Sequence, residues 1–445
     1  MTARDQHETG SSWPATNVRR MVNENSDVLL SLAVRGATVL AGFAVTYLIG
    51  HNLGAAATGQ FALVSQTAMI LSVIGLFGLD VSVVRHFSKT VADKTSVAFS
   101  AFAKVLASGF GLMCILVMVL WLGGEHIWEP LFGIAVPLEM LGVLCALLVA
   151  RGGVQLLGAL LRSQHSFTLG QIISALAIPL ATSLALVSGI AATVYEALWA
   201  AALAGLIAAA FGVGAMMRYI SRRTDAAQIG MRTVFATSLP LWGVGIAQNI
   251  GDWYGLAVSA QMFGTVDAGL YRVSVQIAGA LQIVSLAIFA VYSAKISAAF
   301  HADDRKLAAR LARAALIISS LTAAPLVIIL LFGGEFLLAQ IGPEFVAAWP
   351  ILAVLLIGQL ALILTGPSGM ILAMSGNERA NLWITITSTL TLLLILPIAA
   401  HAGGLLGIAI CVPCVMLLRN LAAYVTVLRK ERINIWTGQV ISPRI

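Results

Sequence analysis

Twelve apolar stretches, each about as long as a bilayer is thick, leave the chain little choice of fold. They run over 28–50, 58–80, 97–122, 130–151, 168–189, 194–217, 234–261, 268–293, 313–333, 346–374, 381–400 and 404–428. A hydrocarbon core of about 30 Å takes about 20 helical residues to cross. Inside lipid every backbone polar group must be satisfied internally, so each stretch is read as a helix. The ten-residue alternation of a membrane β-barrel is absent. Only 10% of the 445 residues are charged, too few to cover a soluble surface, so a soluble enzyme and a disordered chain are both excluded. The tenth stretch holds Gly366-Pro367-Ser368-Gly369, where a missing N–H predicts a break.

The basic residues give the topology. All but three of the 26 lysines and arginines fall in the two tails and in alternate connections, including Arg85, Arg151, Arg162, Arg222, Arg305 and Arg419. The remaining connections carry acids instead: Glu125, Glu129, Glu196, Asp267, Glu335 and Glu344. This alternation predicts twelve spans with both termini cytoplasmic. It also accounts for the net charge of +7 without a nucleic-acid partner. The first 27 residues are polar and lack the apolar core of a signal peptide. The expected division is a cytoplasmic tail over 1–27, a six-helix lobe over 28–217, a cytoplasmic linker over 218–233, a second lobe over 234–428 and a tail over 429–445. The connections on the acidic side are short, which leaves no room for a catalytic domain there.

Several chemistries find no support. Cys114, Cys145, Cys411 and Cys414 all lie in apolar runs, a poor setting for a reactive thiol. No histidine is clustered with Cys, Asp or Glu at ligand spacing, so no metal and no cofactor is proposed. There is no GxxxxGK[ST] loop, which argues against ATP as the direct energy source.

An internal repeat appears at an offset of 210 residues. Leu53-Gly54-x4-Gly59-x-Phe61 matches Phe263-Gly264-x4-Gly269-x-Tyr271, and Gly123-Gly124-Glu125 matches Gly333-Gly334-Glu335. Six helices per half is an even number, so both halves share one orientation and the pseudo-twofold axis lies along the membrane normal. The expected fold is therefore all-α: a polytopic membrane protein of twelve helices in two six-helix lobes related by a parallel repeat.

Charges within the spans are the candidate functional residues, because they are costly in lipid and face a cavity or a partner. Arg35 shares one face of helix 1 with Ser31, Thr38, Gly42 and Thr46, a stripe that reads as a wet wall. The competing reading is an arginine snorkelling to the headgroups. Helix 7 carries a similar stripe of Ser238, Trp242, Gly245, Asn249, Asp252 and Ser259. Asp252 is either a proton or cation site or the structural partner of Arg272 on helix 8. Arg272 itself either binds an anion or snorkels outward. Lys104 reads as a snorkelling residue, Glu139 as a buried or a functional carboxyl, and Asp80 as an ion-pair partner of Arg85.

The order of these landmarks resembles that of a known family. His51-Asn52-Leu53-Gly54-x4-Gly59-Gln60-Phe61, then Gly78-Leu79-Asp80 and Val84-Arg85, resemble the start of bacterial polysaccharide-transporter flippases. Ser238-Leu239-Pro240, Asp252, Gly269-Leu270-Tyr271, Gly342-Pro343-Glu344-Phe345 and Leu372-x3-Gly376 continue the resemblance. These flippases belong to the multidrug/oligosaccharidyl-lipid/polysaccharide exporter superfamily. The related lipid II flippases have fourteen helices, and the twelve here point to the O-antigen or exopolysaccharide branch.

The resemblance implies a flippase, not an enzyme, that carries polyprenyl-diphosphate-linked oligosaccharide across the bacterial inner membrane by alternating access. Such transport serves lipopolysaccharide or exopolysaccharide biosynthesis. It implies a cationic central cavity, with Arg35 and Arg272 at the family's basic positions on helices 1 and 8 and with Thr38, Asn249 and Asp252 facing the glycan. Membrane lipid, a polysaccharide polymerase and chain-length machinery are the implied partners. Guanidinium groups suit a diphosphate through bidentate contacts. A multidrug antiporter of the same superfamily is the alternative, although it would want more acids in the cavity. A membrane polymerase or ligase is a second, disfavoured by the repeat and the short connections.

Overall fold

Gly54 and Gly264 have the same backbone conformation, φ 86° and 90° with ψ −179° in both, and each joins two long helices. A side chain disfavours this region, and glycine enters it freely. The offset of 210 read in the sequence is thus a repeat of backbone geometry.

The structure, a computed structural model, describes residues 15–92, 97–132, 138–221 and 230–441. Eight segments among them are long and apolar enough to cross a membrane. Two of these, Ala33–Leu76 and Glu378–Lys430, are each divided by a glycine of positive φ, Gly54 and Gly404. Two further long helices, Met231–Phe263 and Thr265–His301, complete the set of twelve. Span 1 runs over 33–53 and span 2 over 55–76. Span 3 is Phe99–Gly123, span 4 Glu139–Ser163, span 5 Phe167–Val187 and span 6 Val194–Tyr219. Span 7 is Met231–Phe263 and span 8 Thr265–His301. Span 9 is Arg305–Ile341 and span 10 Pro343–Met374, with span 11 over 378–403 and span 12 over 405–430. The end of the bundle where span 1 begins and span 12 finishes is called the tail end here.

The break expected in span 10 is present. One helix stops at Leu364, Gly366 takes φ 71°, and a second helix begins at Ser368. Span 4 differs from expectation. It continues past Arg151 to Ser163, so Arg151 and Arg162 lie in the bundle and not in a connection. Gly152 and Gly153 follow Arg151 without ending the helix, because they admit close neighbours: Gly152 packs on Met113, and Gly153 on Ala209 of span 6. Small residues let membrane helices approach this way. Glu139 falls in the first turn of its helix, where a carboxylate favours the N-terminal dipole. Arg419 lies within span 12, not in a tail. Ile220–Ser221, inside the expected linker, pairs in parallel with Val97–Ala98. Arg4, Lys94, Arg222, Arg223 and Arg444 lie outside the described residues.

The halves meet on a reciprocal contact. A Cβ on Gly59 would run into the carbonyl oxygen of Thr265, and a Cβ on Gly269 into that of Ala55. Ala55 and Thr265 are themselves 210 residues apart, so each half offers the other the same pair of positions. Away from the tail end, Ala55 N donates to the Glu344 carboxylate at 2.6 Å, which ties span 2 to the start of span 10. Toward the tail end, Ser82 Oγ donates to the Val234 carbonyl at 2.8 Å and Trp242 Nε1 to that of Ile74 at 3.1 Å.

One helix start is locally encoded. Thr193 accepts from Glu196 N at 3.2 Å, and the Glu196 carboxylate accepts from Thr193 N at 3.1 Å, a capping box at the entry to span 6. Thr193→Ala should lower stability by about 1 kcal/mol. Thermal melting of the purified protein in detergent checks this, and an unchanged midpoint would mean that packing alone fixes the helix start.

Candidate functional site

Spans 1, 2, 4, 5 and 8 enclose a cavity of about 220 Å³. Span 1 contributes Thr38, Gly42, Val45, Thr46 and Ile49, and span 2 contributes Thr58, Phe61, Ser65 and Gln66. Arg151 reaches in from span 4 and Arg272 from span 8. Span 5 supplies Ala175, Ile178, Pro179 and Thr182. Its backbone is irregular here. Pro179 has no N–H to offer the preceding turn, and the helix widens to a π turn over Ile172–Leu176. Such bulges re-aim side chains and recur at functional sites.

The cavity is short of hydrogen-bond partners. The Nε of Arg151 and the Oγ of Ser65 are both buried with no protein partner. Thr38 and Thr46 donate to their own helix, to Val34 and Gly42 carbonyls, and Thr46 also reaches Gln276 of span 8 at 2.7 Å. Arg272 lies within electrostatic reach of both Asp252 and Arg151. No ion pair shorter than 4.0 Å joins Arg272 to Asp252 among the described residues. Two guanidinium groups therefore share one site with one carboxylate in reach. Like charges at short range in a poorly hydrated interior are costly, and an anion between them removes that cost.

A second group of polar residues continues toward the tail end. Gln155 Nε2 donates to Asp80 at 3.0 Å, in place of the expected Asp80–Arg85 pair. Arg162 Nη1 donates to Ser174 Oγ at 3.0 Å and feels the charges of Asp80 and Arg35. Ser31 donates to Gln171 at 2.8 Å. Arg151 and Arg162 are eleven residues apart on one helix face, about 16 Å along span 4. Arg35 stands beside the lower of the two.

The residues singled out from the sequence thus separate. Thr38 and Arg272 line the cavity. Arg35 is exposed, outside the cavity lining, on the tail-end side next to Arg162. Asp252 is exposed, outside the cavity lining, and within electrostatic reach of Arg272. Asn249 is half-buried and donates to the Gly245 carbonyl at 2.8 Å. The ends of the span 7 stripe are not wet: Ser238 and Ser259 are buried and bonded to their own helix. Sequence reasoning missed Arg151. The signal that could have found it is the spacing Arg151, Gln155, Arg162, which keeps to one helical face.

Comparison with known proteins agrees with this architecture. The sequence profile described as "Polysaccharide biosynthesis protein" matches residues 26–293, and the chain belongs to that family. Among curated proteins no sequence matches. Similar solved structures include an inward-facing multidrug-resistance MATE transporter of the MOP superfamily, with TM-score 0.69 and 13% identity over 93% of this chain and 99% of that one. The lipid II flippase MurJ in an inward closed conformation gives TM-score 0.68 and 14% identity over 90% of this chain and 87% of that one. A MOP-superfamily transporter from Pyrococcus furiosus gives TM-score 0.57 and 13% identity over 92% and 95%. The chain is a multi-pass membrane protein of twelve helices with the two-lobed fold of these transporters.

Proposed function

We propose that the protein flips a polyprenyl-diphosphate-linked oligosaccharide across the membrane by alternating access. The observation that carries this reading is the pair Arg151 and Arg272 in one cavity, together with two partner-free buried atoms, Arg151 Nε and Ser65 Oγ. Two fixed cations suit a group that carries more than one negative charge, and guanidinium forks match phosphate oxygens. The cavity has room for several waters, and so for a diphosphate. The glycan would occupy the open space beside Asp252 and Asn249. A cation-carrying antiporter would reverse this balance of charge. In this reading the protein sits in a bacterial inner membrane with both termini cytoplasmic and supplies a polysaccharide polymerase with substrate.

Arg35 and Arg162 would meet the diphosphate first, at the tail end, before it moves up to Arg151 and Arg272. Arg35→Ala should therefore slow flipping about tenfold, the loss of one charge-assisted contact, and Arg35→Lys should keep part of the rate. Proteoliposomes loaded with a fluorescent polyprenyl-diphosphate sugar read this directly. If the wild-type protein does not move that lipid, and a deletion strain exports glycan normally yet becomes drug-sensitive, the antiporter reading replaces the flippase.

A further inference from the structure

A second cavity, of about 210 Å³, lies wholly in the C-terminal half between spans 8, 10 and 12. Its polar lining comes from Gln282, Ser285, Gln359, Arg419 and Asn420. On span 8, Gln282, Ser285 and Phe289 follow one helical face at i, i+3 and i+7. That face is turned by about 125° from the one bearing Arg272 and Gln276, and the two cavities share no lining residue.

Its groups are incompletely paired. Gln282 donates to Gln359 at 3.0 Å, and Asn420 donates to Thr365 at 3.1 Å. Arg419 has neither a hydrogen bond nor an ion pair among the described residues. Ser285 is 6% exposed, and its Oγ has no partner. A guanidinium with five donors and a free hydroxyl lining one cavity make a strong donor set.

The fold does not require this opening, because the other half closes it. At the repeat-related place, 210 residues earlier, Ser285 is replaced by Gly75 and Leu362 by Gly152. The side chain of Met113 packs against both glycines and is fully buried. Met113 stands ten residues before Gly123. Its counterpart ten residues before Gly333 is Ala323, which is buried and takes no part in the cavity lining. The same packing is therefore solid in one half and hollow, polar and cationic in the other.

We propose that the C-terminal half carries a second anion site, in which Arg419 and Ser285 hold a phosphate group. The phosphate belongs either to a lipid headgroup or to free inorganic phosphate, and the two sources are separable. The full-length protein is placed in nanodiscs of phosphatidylglycerol and phosphatidylcholine, and lipids retained at energies that strip phosphatidylcholine are counted by native mass spectrometry. In parallel, its melting temperature is measured in sodium phosphate and in sodium chloride of equal ionic strength.

For a headgroup, Arg419→Gln should lose one retained phosphatidylglycerol, with occupancy at least about tenfold lower. Ser285→Leu should lose the same one by filling the space, and the double variant should lose no more than either alone. For free phosphate, lipid retention is unchanged but the phosphate-specific rise in melting temperature disappears in both variants. Wild-type behaviour of Arg419→Gln in both arms overturns the site. So does loss of the same lipid in Arg272→Gln, since the two cavities would then be one. Should Ser285→Leu fail to assemble, seen as a lost monodisperse peak, Arg419→Gln alone decides.

Discussion

Replacing Arg272 by alanine is expected to stop export of the lipid-linked glycan while the protein accumulates at its normal level. A bidentate guanidinium contact to a diphosphate contributes two charge-assisted hydrogen bonds at about 1.5 kcal/mol or more each. Losing both costs about 3 kcal/mol, on the order of a hundredfold in flipping rate. Arg151→Ala should do the same, since the two groups share one cavity. The double variant should be little worse than either single one, because both act on one anion. A second readout separates ligand binding from a structural role. With no anion present, the two arginines repel each other. Removing either one should leave the melting temperature of the empty protein unchanged or raise it. Flipping by Arg272→Ala at the wild-type rate ends this account, and a marked fall in melting temperature would assign the arginines to the scaffold.

The second large effect concerns assembly. Gly59→Val should nearly abolish folded protein, because any Cβ there overlaps the backbone of Thr265. Overpacking in a core costs about 1–3 kcal/mol when side chains can yield, and here the obstacle is main chain. Fluorescence-detected size exclusion of a tagged variant measures the folded yield. Gly264→Ala offers a contrast at the neighbouring position. Its Cβ would meet nothing within 4 Å, so only the backbone conformation is strained and the loss should be about 1–3 kcal/mol. Equal yields for the two variants would mean that the close approach of the halves is not a determinant of the fold.

Much of the architecture was legible because membrane helices state themselves in apolar runs. The repeat was legible because Gly54 and Gly264 are demanded by backbone geometry, and Gly59 and Gly269 by the close approach of the halves. The interior arginines were harder. A run such as Leu147-Leu148-Val149-Ala150-Arg151-Gly152-Gly153 looks like a helix ending at its basic edge. A helix that turns one wet face to a cavity gives the same local signal as a helix leaving the membrane. The two differ only in the residues beyond the arginine, and span 4 runs on through Leu156, Leu157 and Leu160, all fully buried. Arg419-Asn420 misleads in the same way, with buried Ala423 and Val427 beyond it. Arg35 shows the converse: its stripe along span 1 does lead into the cavity, but the arginine stands at the lower end of that stripe, outside the lining.

The contact of Gly59 on Thr265 and of Gly269 on Ala55 is an isologous one, the kind two identical subunits make about a twofold axis. In such a dimer every position is duplicated, and a residue chosen for one copy is imposed on the other. Met113 would fill both halves, or neither. Covalent joining of the halves removes that constraint while keeping the symmetric seam. One chain can then hold a methionine at residue 113 and an alanine at residue 323, and give each half its own interior.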